Sequence, residues 1–317
     1  MDATPDLGTS PALGTGPHLK GGPADVPSLS GLRSPYDAAD LPRLPAPGPV
    51  THPKRAWVEQ IMGMPISIHL RAPGVDARPG DPGFDPAAGR ALDQAVAAAF
   101  AELREVDALF STWIPGSQVS RLQRGELTLA EAAPLVREVA DLCDVARTRT
   151  GGWFDADLPG PDGARRFDPT GLVKGWAVQR CGEHLAEALD GVLGGVDVLV
   201  NAGGDLAACC RRDDSAPFSV GIEDPMDRSR MIATVPIRVG GVATSGTAAR
   251  GEHIVSPRTG LPTAELASVS VIGPSLLWAD VYATAAFAQG GGAVDWLRTL
   301  AGHSWLVVGR DGGVTAG

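Results

Sequence analysis

Two distant segments of the chain carry carboxylate, hydroxyl and amino groups at spacings suited to phosphate and metal chemistry. In the first, Asp168 precedes Pro169, and the residues that follow repeat at helical spacing, so Asp168 is predicted to cap a helix that carries Lys174 near its start. A helix N-terminus attracts phosphate, but a carboxylate beside it repels phosphate unless a cation lies between them. The pattern therefore indicates an anion site bridged by a metal ion.

The second segment is an alanine-rich run from Leu277 to Phe287, bounded by glycines, which predicts another helix. Asp280 and Thr284 are four residues apart, so their Cβ atoms are expected on one face, roughly 5–6 Å apart. A carboxylate and a hydroxyl are hard oxygen ligands that suit Mg²⁺ better than Zn²⁺. Taken alone, Asp280 is equally compatible with a helix-dipole partner, Thr284 with a solvated residue and Asp168 with a simple cap.

The rest of the chain predicts a scaffold of mixed class around these segments. Helices are predicted over 87–110, 133–150 and 172–190, and strands over 66–70, 196–200, 218–222, 233–239, 242–244, 268–272 and 304–308. A short return of the chain is predicted at 119–122. Because helices and strands do not alternate regularly, the predicted fold class is α+β, with mixed, largely antiparallel sheets flanked by helices in one bilobal domain over 51–317.

Composition excludes several classes of function. The chain has 317 residues and a net charge of −10, which argues against sequence-independent nucleic-acid binding. No run approaches about 18 apolar residues, so no membrane span is predicted. Residues 1–50 are rich in proline and glycine and are predicted to be a disordered lead-in. They show no signal peptide or lipidation motif, which favours a cytoplasmic location.

The cysteine and glycine patterns do not support a zinc site or the common nucleotide-binding loops. Cys143, Cys181, Cys209 and Cys210 lack the spacing of a zinc site, and the first two lie in helical patterns typical of inert core thiols. No Walker loop and no dinucleotide-binding glycine fingerprint follows a strand. Any nucleotide must therefore be held by another route.

Ten short segments occur in the order typical of the ApbE family, the FAD:protein FMN transferases, and the chain resembles that family from about Val58 to Gly309. The segments are Met62–Met64, Phe110–Trp113, Ser120–Leu122, Thr150–Asp155, Asp168–Ala177, Val200–Asp205, Val220–Pro225, Ala243–Gly246, His253–Gly260 and Ala279–Thr284. The resemblance implies an enzyme that uses Mg²⁺ to cleave the pyrophosphate of FAD. The FMN half is attached to a Thr or Ser hydroxyl of an acceptor flavoprotein, and AMP is released.

The resemblance also implies roles for individual residues. It assigns the metal to the Asp280 carboxylate, the Thr284 hydroxyl and a backbone carbonyl near Gly171, with Ala283 at a metal-site position but without a side-chain donor. It assigns His253 as the base that accepts the proton of the target hydroxyl. The positions that it implies for FAD binding are Met62, Trp113, Trp153, Phe154, Asp155, Asp168, Lys174, Gly203, Gly204 and Ile254.

Several of these residues have simpler interpretations. The aromatic residues are also compatible with ordinary packing, Met62 with a strand-end core position and the glycine pair with a turn between strands. Ser256 stands where the family usually has Asp, so no acid role is expected there. Two other functions stay open, an FAD pyrophosphatase that gives FMN and AMP, and a non-catalytic flavin-binding protein, because the sequence does not contain the acceptor nucleophile.

Overall fold

The computed structural model describes residues 53–159, 163–247, 254–263 and 265–317. The predicted lead-in over 1–50 and the candidate base His253 lie outside these ranges, so both stay predictions.

Twelve strands are found in the described residues, and eight of them form one antiparallel sheet. The order in this sheet is β1-β2-β5-β6-β9-β10-β11-β12, while β3–β4 and β7–β8 form separate hairpins. The strands are β1 (Lys54–Ile61), β2 (Met64–Arg71), β3 (Asp157–Pro159), β4 (Arg165–Phe167), β5 (Asp197–Ala202), β6 (Asp205–Cys209), β7 (Phe218–Asp224), β8 (Asp227–Ile237), β9 (Val239–Gly246), β10 (Leu266–Gly273), β11 (Ser304–Gly309) and β12 (Val314–Ala316). The α+β, largely antiparallel prediction is confirmed.

Helices cover one face of the large sheet. They are α1 (Pro86–Phe110), α2 (Gln118–Gln123), α3 (Pro134–Arg149), α4 (Thr170–Ala188), α5 (Leu276–Gln289) and α6 (Ala293–Leu297). Helices α4 and α5 pack against each other, α4 against β5 and β6, and α5 against β9 and β10, with α1 behind α4. The β7–β8 hairpin packs on the opposite face, where Ile222 and Val235 contact Leu306 and Val308.

Strand alternation explains which side chains reach the helices. Ile66, Ile68 and Leu70 of β2 are fully buried in the helix-side core. On β6, Ala207 faces that core and Ala208 faces the hairpin, so Asp205 also points to the helices. The helix-facing side of β6 therefore carries a carboxylate next to the apolar side chain of Ala207.

The structure corrects two local predictions. Residues 119–122 belong to helix α2 and not to a simple return, because the Ser117 hydroxyl accepts a hydrogen bond from the Ser120 amide and caps a helical turn. The N-cap of helix α4 is Pro169, one residue after the predicted cap Asp168, and the helix begins at Thr170, two residues before the predicted range 172–190. Asp168 lies one residue before the N-cap, but its carboxylate still accepts hydrogen bonds from the amide and hydroxyl of Thr170, the first residue of the helix.

The two cysteines that were predicted to be inert core thiols lie in the core. Cys143 and Cys181 are free and buried, and burial raises the pKa of each thiol to about 12, so neither is nucleophilic near neutral pH. None of the helices in the described part of the chain has the length and apolar character needed to cross a bilayer.

Candidate active site

The candidate site lies at the end of the sheet where the β1–β2 and β5–β6 turns meet. Strands β2 and β5 pair Ile66 with Ala202, which brings the two turns side by side, and the Met64 sulfur lies 3.1 Å from the position of a Cβ at Gly203. The β5–β6 turn has φ values of 61° at Gly203 and 102° at Gly204, which favour glycine. The predicted glycine turn between strands is thus present at this edge.

Met62 lies in the facing turn with strained backbone. Its φ is 55°, uncommon for a residue with a side chain, and the following Gly63 has φ 70°, as a two-residue hairpin requires. The Met62 amide donates to the Asp107 carboxylate at 3.3 Å, which ties the turn to α1. Met62 is therefore a partly exposed turn residue and not a strand-end core residue, and such strain is common where a protein contacts a ligand.

Three charged residues from three elements meet behind these turns, and we call Asp205, Lys174 and Asp280 the charged cluster. The Lys174 ammonium on α4 forms an ion pair with Asp205 Oδ2 and lies 3.6 Å from Asp280 Oδ1 on α5. The side chains of Asp205 and Asp280 are 2% and 3% exposed, so both carboxylates are buried. With two carboxylates and one ammonium, the ionised cluster has a net charge of −1, which attracts a cation.

Asp280 is held by the backbone of the facing helix. Its Oδ2 accepts a hydrogen bond from the Gly175 amide at 3.1 Å. A Cβ at Gly175 would lie 2.8 Å from the Asp280 Cβ and 3.1 Å from the Leu276 carbonyl oxygen, closer than packed atoms approach. Glycine at 175 therefore lets α4 and α5 come close enough for this bond.

The same Gly175 amide has the Gly171 carbonyl as its regular helical acceptor. A carbonyl oxygen has two lone pairs, so the Gly171 oxygen can accept this bond and still bind a cation. The amide that binds Asp280 is thus also the helical partner of the carbonyl that the family resemblance assigns to the metal.

Burial raises the pKa of the Asp280 carboxyl above its ordinary value. The Lys174 ammonium opposes this shift, while the Asp205 carboxylate adds to it and the Gly175 amide bond opposes it. A bound divalent cation would favour the ionised form in the same way as Lys174 does, because it places positive charge beside the carboxylate.

Thr284 follows Asp280 by one helical turn, and its hydroxyl lies 3.1 Å from the Ser245 hydroxyl on β9. Ser245 is buried, so this pair joins α5 to the end of β9. Asp280 and Thr284 both belong to α5 and are one helical turn apart, so the two residues lie on the same face of this helix.

This donor set fits a hard cation. Asp280 Oδ1 lies 3.6 Å from the Lys174 ammonium and keeps lone pairs for a further partner, and a threonine hydroxyl has a second lone pair after one bond. Within the residues described, no three His, Cys, Asp or Glu side chains converge as a metal-binding group. A site of one carboxylate, one hydroxyl and one carbonyl resembles those of Mg²⁺, which keeps waters and uses substrate phosphates as further ligands.

Comparison with known proteins identifies the family. The sequence model of the ApbE family matches residues 62–158 and 157–305, which is more than half of the chain.

The chain belongs to the ApbE family.

Two curated relatives share part of their sequence with it. The FAD:protein FMN transferase of Klebsiella pneumoniae is 35% identical over 112 residues, which are 32% of this chain and 32% of the relative. The enzyme of the same name from Escherichia coli K12 is 33% identical over 112 residues, with the same shares of both chains. The matched region thus spans only 32% of the length of these relatives.

Solved ApbE structures share the fold. The ApbE protein of Thermotoga maritima superposes with a TM-score of 0.66 at 18% identity, covering 83% of this chain and 96% of that one. The flavinyl transferase ApbE of Pseudomonas stutzeri gives 0.64 at 22% identity, covering 84% and 95%. The flavin transferase ApbE of Vibrio cholerae gives 0.63 at 19% identity, covering 84% and 97%.

The ApbE motif at 150–155 packs against the start of α4. The ring of Phe154 is buried beside Gly171, and the guanidinium of Arg258 lies 3.9 Å from the centre of the Trp153 ring. Asp155 pairs with Arg165 of β4 at 2.8 Å. Trp153 and Asp155 are therefore each held by an arginine, Arg258 and Arg165, while Phe154 between them contacts Gly171.

Three other residues that the ApbE resemblance assigns to the site are Trp113, Ile254 and Ala283. Trp113 is 92% exposed, so its ring does not pack into this group. Ile254 is buried in the helix-side core, directly after the undescribed His253. Ala283 is fully buried and, as expected, contributes no side-chain donor.

Two polar residues of the site were not among the predicted site residues. Asp205 directly follows the glycine turn that was predicted, and Ser245 lies in the Ala243–Gly246 segment. Each is polar at a position where strand alternation points toward an apolar core, and each is buried. That mismatch is the signal that finds them, but it requires the strands β6 and β9 to be assigned first.

The close approach at Gly175 gives a prediction about stability. We expect Gly175→Ala to destabilise the protein by about 1–3 kcal/mol, because the new methyl group overlaps Asp280 and the helix backbone. Gly182→Ala in the same helix is the matched control, since its nearest neighbour would be Val200 Cγ2 at an ordinary 3.6 Å. The control should be neutral or stabilise by up to about 1 kcal/mol. Urea unfolding of both variants provides the comparison, and equal effects would contradict the close-packing argument.

Proposed function

We propose that this protein transfers FMN from FAD to a Thr or Ser hydroxyl of an acceptor flavoprotein, with Mg²⁺ as cofactor. The acceptor oxygen forms a bond to the phosphorus of the FMN half, and the bond from that phosphorus to the bridging oxygen breaks. AMP leaves with the bridging oxygen, and the hydroxyl proton passes to a base, for which His253 is the candidate. The observation that carries the proposal is the buried charged cluster next to Thr284, in a chain of the ApbE family.

The residues at this site match what phosphoryl-type transfer requires. Such reactions depend more on positioning and charge neutralisation than on covalent help from the protein. Asp280, Thr284 and the Gly171 carbonyl would hold Mg²⁺, with Ala283 beside them in the same turn of α5. The ion supplies charge neutralisation at the pyrophosphate when it is bound.

The flavin and adenine rings would lie along the rest of the site. Met62, Gly203 and Gly204 form the edge of the sheet, where the glycine turn lets backbone approach a ligand closely. Phe154 and Asp168 contact the first turn of α4, Trp153 and Asp155 adjoin Phe154 in sequence, Ile254 is buried in the helix-side core, and exposed Trp113 offers a stacking surface. Lys174 would balance phosphate charge from within the charged cluster.

The test is incubation of the purified chain with FAD and Mg²⁺ in three arms. The first contains an acceptor flavoprotein domain with a Thr in its flavinylation position, the second contains its Thr→Val variant, and the third contains no acceptor. We expect covalent flavin fluorescence on a denaturing gel only in the first arm, with AMP released in proportion.

The other outcomes contradict the proposal in distinct ways. FMN and AMP at equal rates in all three arms would show an FAD pyrophosphatase, with water as the nucleophile. FAD recovered intact by mass spectrometry in every arm, although bound, would show a non-catalytic flavin-binding protein. Transfer that continues in excess EDTA would contradict the Mg²⁺ requirement.

A further inference from the structure

Asp205 is the carboxylate of the charged cluster that the proposed function assigns to no ligand and to no reaction step. It is 1% exposed, its Oδ1 accepts a hydrogen bond from the Thr244 amide at 2.9 Å, and its Oδ2 contacts the Lys174 ammonium. It is the first residue of β6, directly after the Gly203–Gly204 turn. The short Asp205 side chain is held by its own strand and by the Thr244 amide of the next strand. Its position is therefore better defined than that of the long Lys174 side chain, which has more rotamer freedom.

We propose that Asp205 is a positioning residue that retains the Lys174 ammonium and so keeps Asp280 Oδ1 open to a divalent cation. The inference rests on the proposed function, since it gives Asp205 a purpose within the same site. It concerns which of two carboxylates holds the lysine, and the observed geometry favours Asp205, because Lys174 contacts Asp205 and remains 3.6 Å from Asp280.

The two carboxylate oxygens of Asp280 have different contacts. Oδ2 is bound by the Gly175 amide, so it is fixed against α4. Oδ1 faces Lys174 at 3.6 Å, farther from the ammonium than Asp205 Oδ2 is, and we assign this oxygen to the metal ion. An ammonium that moved the short remaining distance onto Oδ1 would occupy the lone pair that the metal needs and would repel the ion by its charge.

Neutralising Asp205 should allow that movement. Without the Asp205 charge, the carboxylate of Asp280 is the remaining anionic partner for Lys174 in the charged cluster, and attraction between buried opposite charges is strong. Lys174 then competes with the metal. Removing Lys174 as well should restore metal binding, whereas a residue that only supports the fold would make the double variant worse.

The experiment is a double-mutant cycle with Mn²⁺ alone as the probe, because Mn²⁺ also prefers oxygen ligands and free Mn²⁺ is quantified by electron paramagnetic resonance. The variants are Asp205→Asn, Lys174→Met and both together. We expect Asp205→Asn to weaken Mn²⁺ binding by about fivefold or more, a typical coupling between contacting charged residues. Lys174→Met should improve binding much more in the Asp205→Asn background than in the wild type.

Two further variants control for effects on folding. Asp197→Asn removes another buried carboxylate, which pairs with Arg71 at 3.0 Å, and should change thermal stability without changing Mn²⁺ affinity. If Asp205→Asn does not fold, Asp205→Ser replaces it in the cycle, since its hydroxyl can still accept the Thr244 amide bond without a charge.

Equal effects of Lys174→Met in both backgrounds, or a double variant that binds Mn²⁺ more weakly than Asp205→Asn, would overturn the inference. Wild-type protein that does not bind Mn²⁺ would overturn it too. A wild type that binds Mn²⁺ and shows the expected coupling, yet leaves FAD intact with an acceptor present, supports the role of Asp205 and contradicts the proposed function.

Discussion

Asp280→Asn is expected to lower Mg²⁺-dependent FMN transfer by about 10³-fold, because a metal ion at a phosphoryl centre contributes several kcal/mol to the barrier reduction. Asparagine has nearly the same shape and can still accept the Gly175 amide bond through its amide oxygen. It loses the charge that a hard cation requires. The loss should therefore appear in metal-dependent catalysis and not in folding.

Stability separates this effect from misfolding. Because burial disfavours the charged form of Asp280, a neutral isostere should leave the melting temperature near that of the wild type. The rate of FMN transfer at saturating Mg²⁺ and the melting temperature are measured together. Asp197→Asn is the control in which stability changes while transfer is retained. Full transfer activity in Asp280→Asn would remove this carboxylate from the metal site.

His253→Ala is expected to slow transfer by about 10²–10⁴-fold, the contribution typical of a positioned general base. Histidine titrates near neutral pH, so it can accept the proton of the acceptor hydroxyl and release it again. The rate of the wild type should rise with pH through the titration of this imidazole. His253→Ala should lose that rise along with the rate.

His184→Ala is the matched control for this prediction. His184 lies on the surface of α4, where Nδ1 pairs with Glu102 at 3.0 Å, and its removal should leave both the rate and its pH dependence unchanged. An unchanged transfer rate in His253→Ala would exclude His253 as the base. Equal losses in the two variants would indicate a general effect of removing histidine and not a catalytic one.

Local patterns in the sequence were sufficient for the long helices and for most strands. The apolar repeat from Leu92 to Phe110 predicts α1 within one residue of its observed start, and the alanine-rich run predicts α5. The four-residue spacing of Asp280 and Thr284 places both on one face of α5 regardless of what packs there, because helical geometry is local. The ordered motifs led to the ApbE family, which the family match over 62–305 confirms.

Short elements were harder to predict because their signals are weak. Residues 118–123 form a helix of only six residues capped by Ser117, and β3, β4 and β12 have three residues each, too few to show a periodic pattern. Their formation depends on partners elsewhere in the chain, such as the pairing of β12 with β11.

The contacts within the site came from packing between distant segments. Lys174, Asp205 and Asp280 are separated by long stretches of sequence and meet because β6 joins the sheet beneath α4 and α5 with Asp205 on its helix-facing side. Sequence patterns identify which residues could do the chemistry, since residue type and local spacing are written in the chain. Which charges neutralise one another depends on strand register and on how closely two helices approach, and both are set by long-range packing.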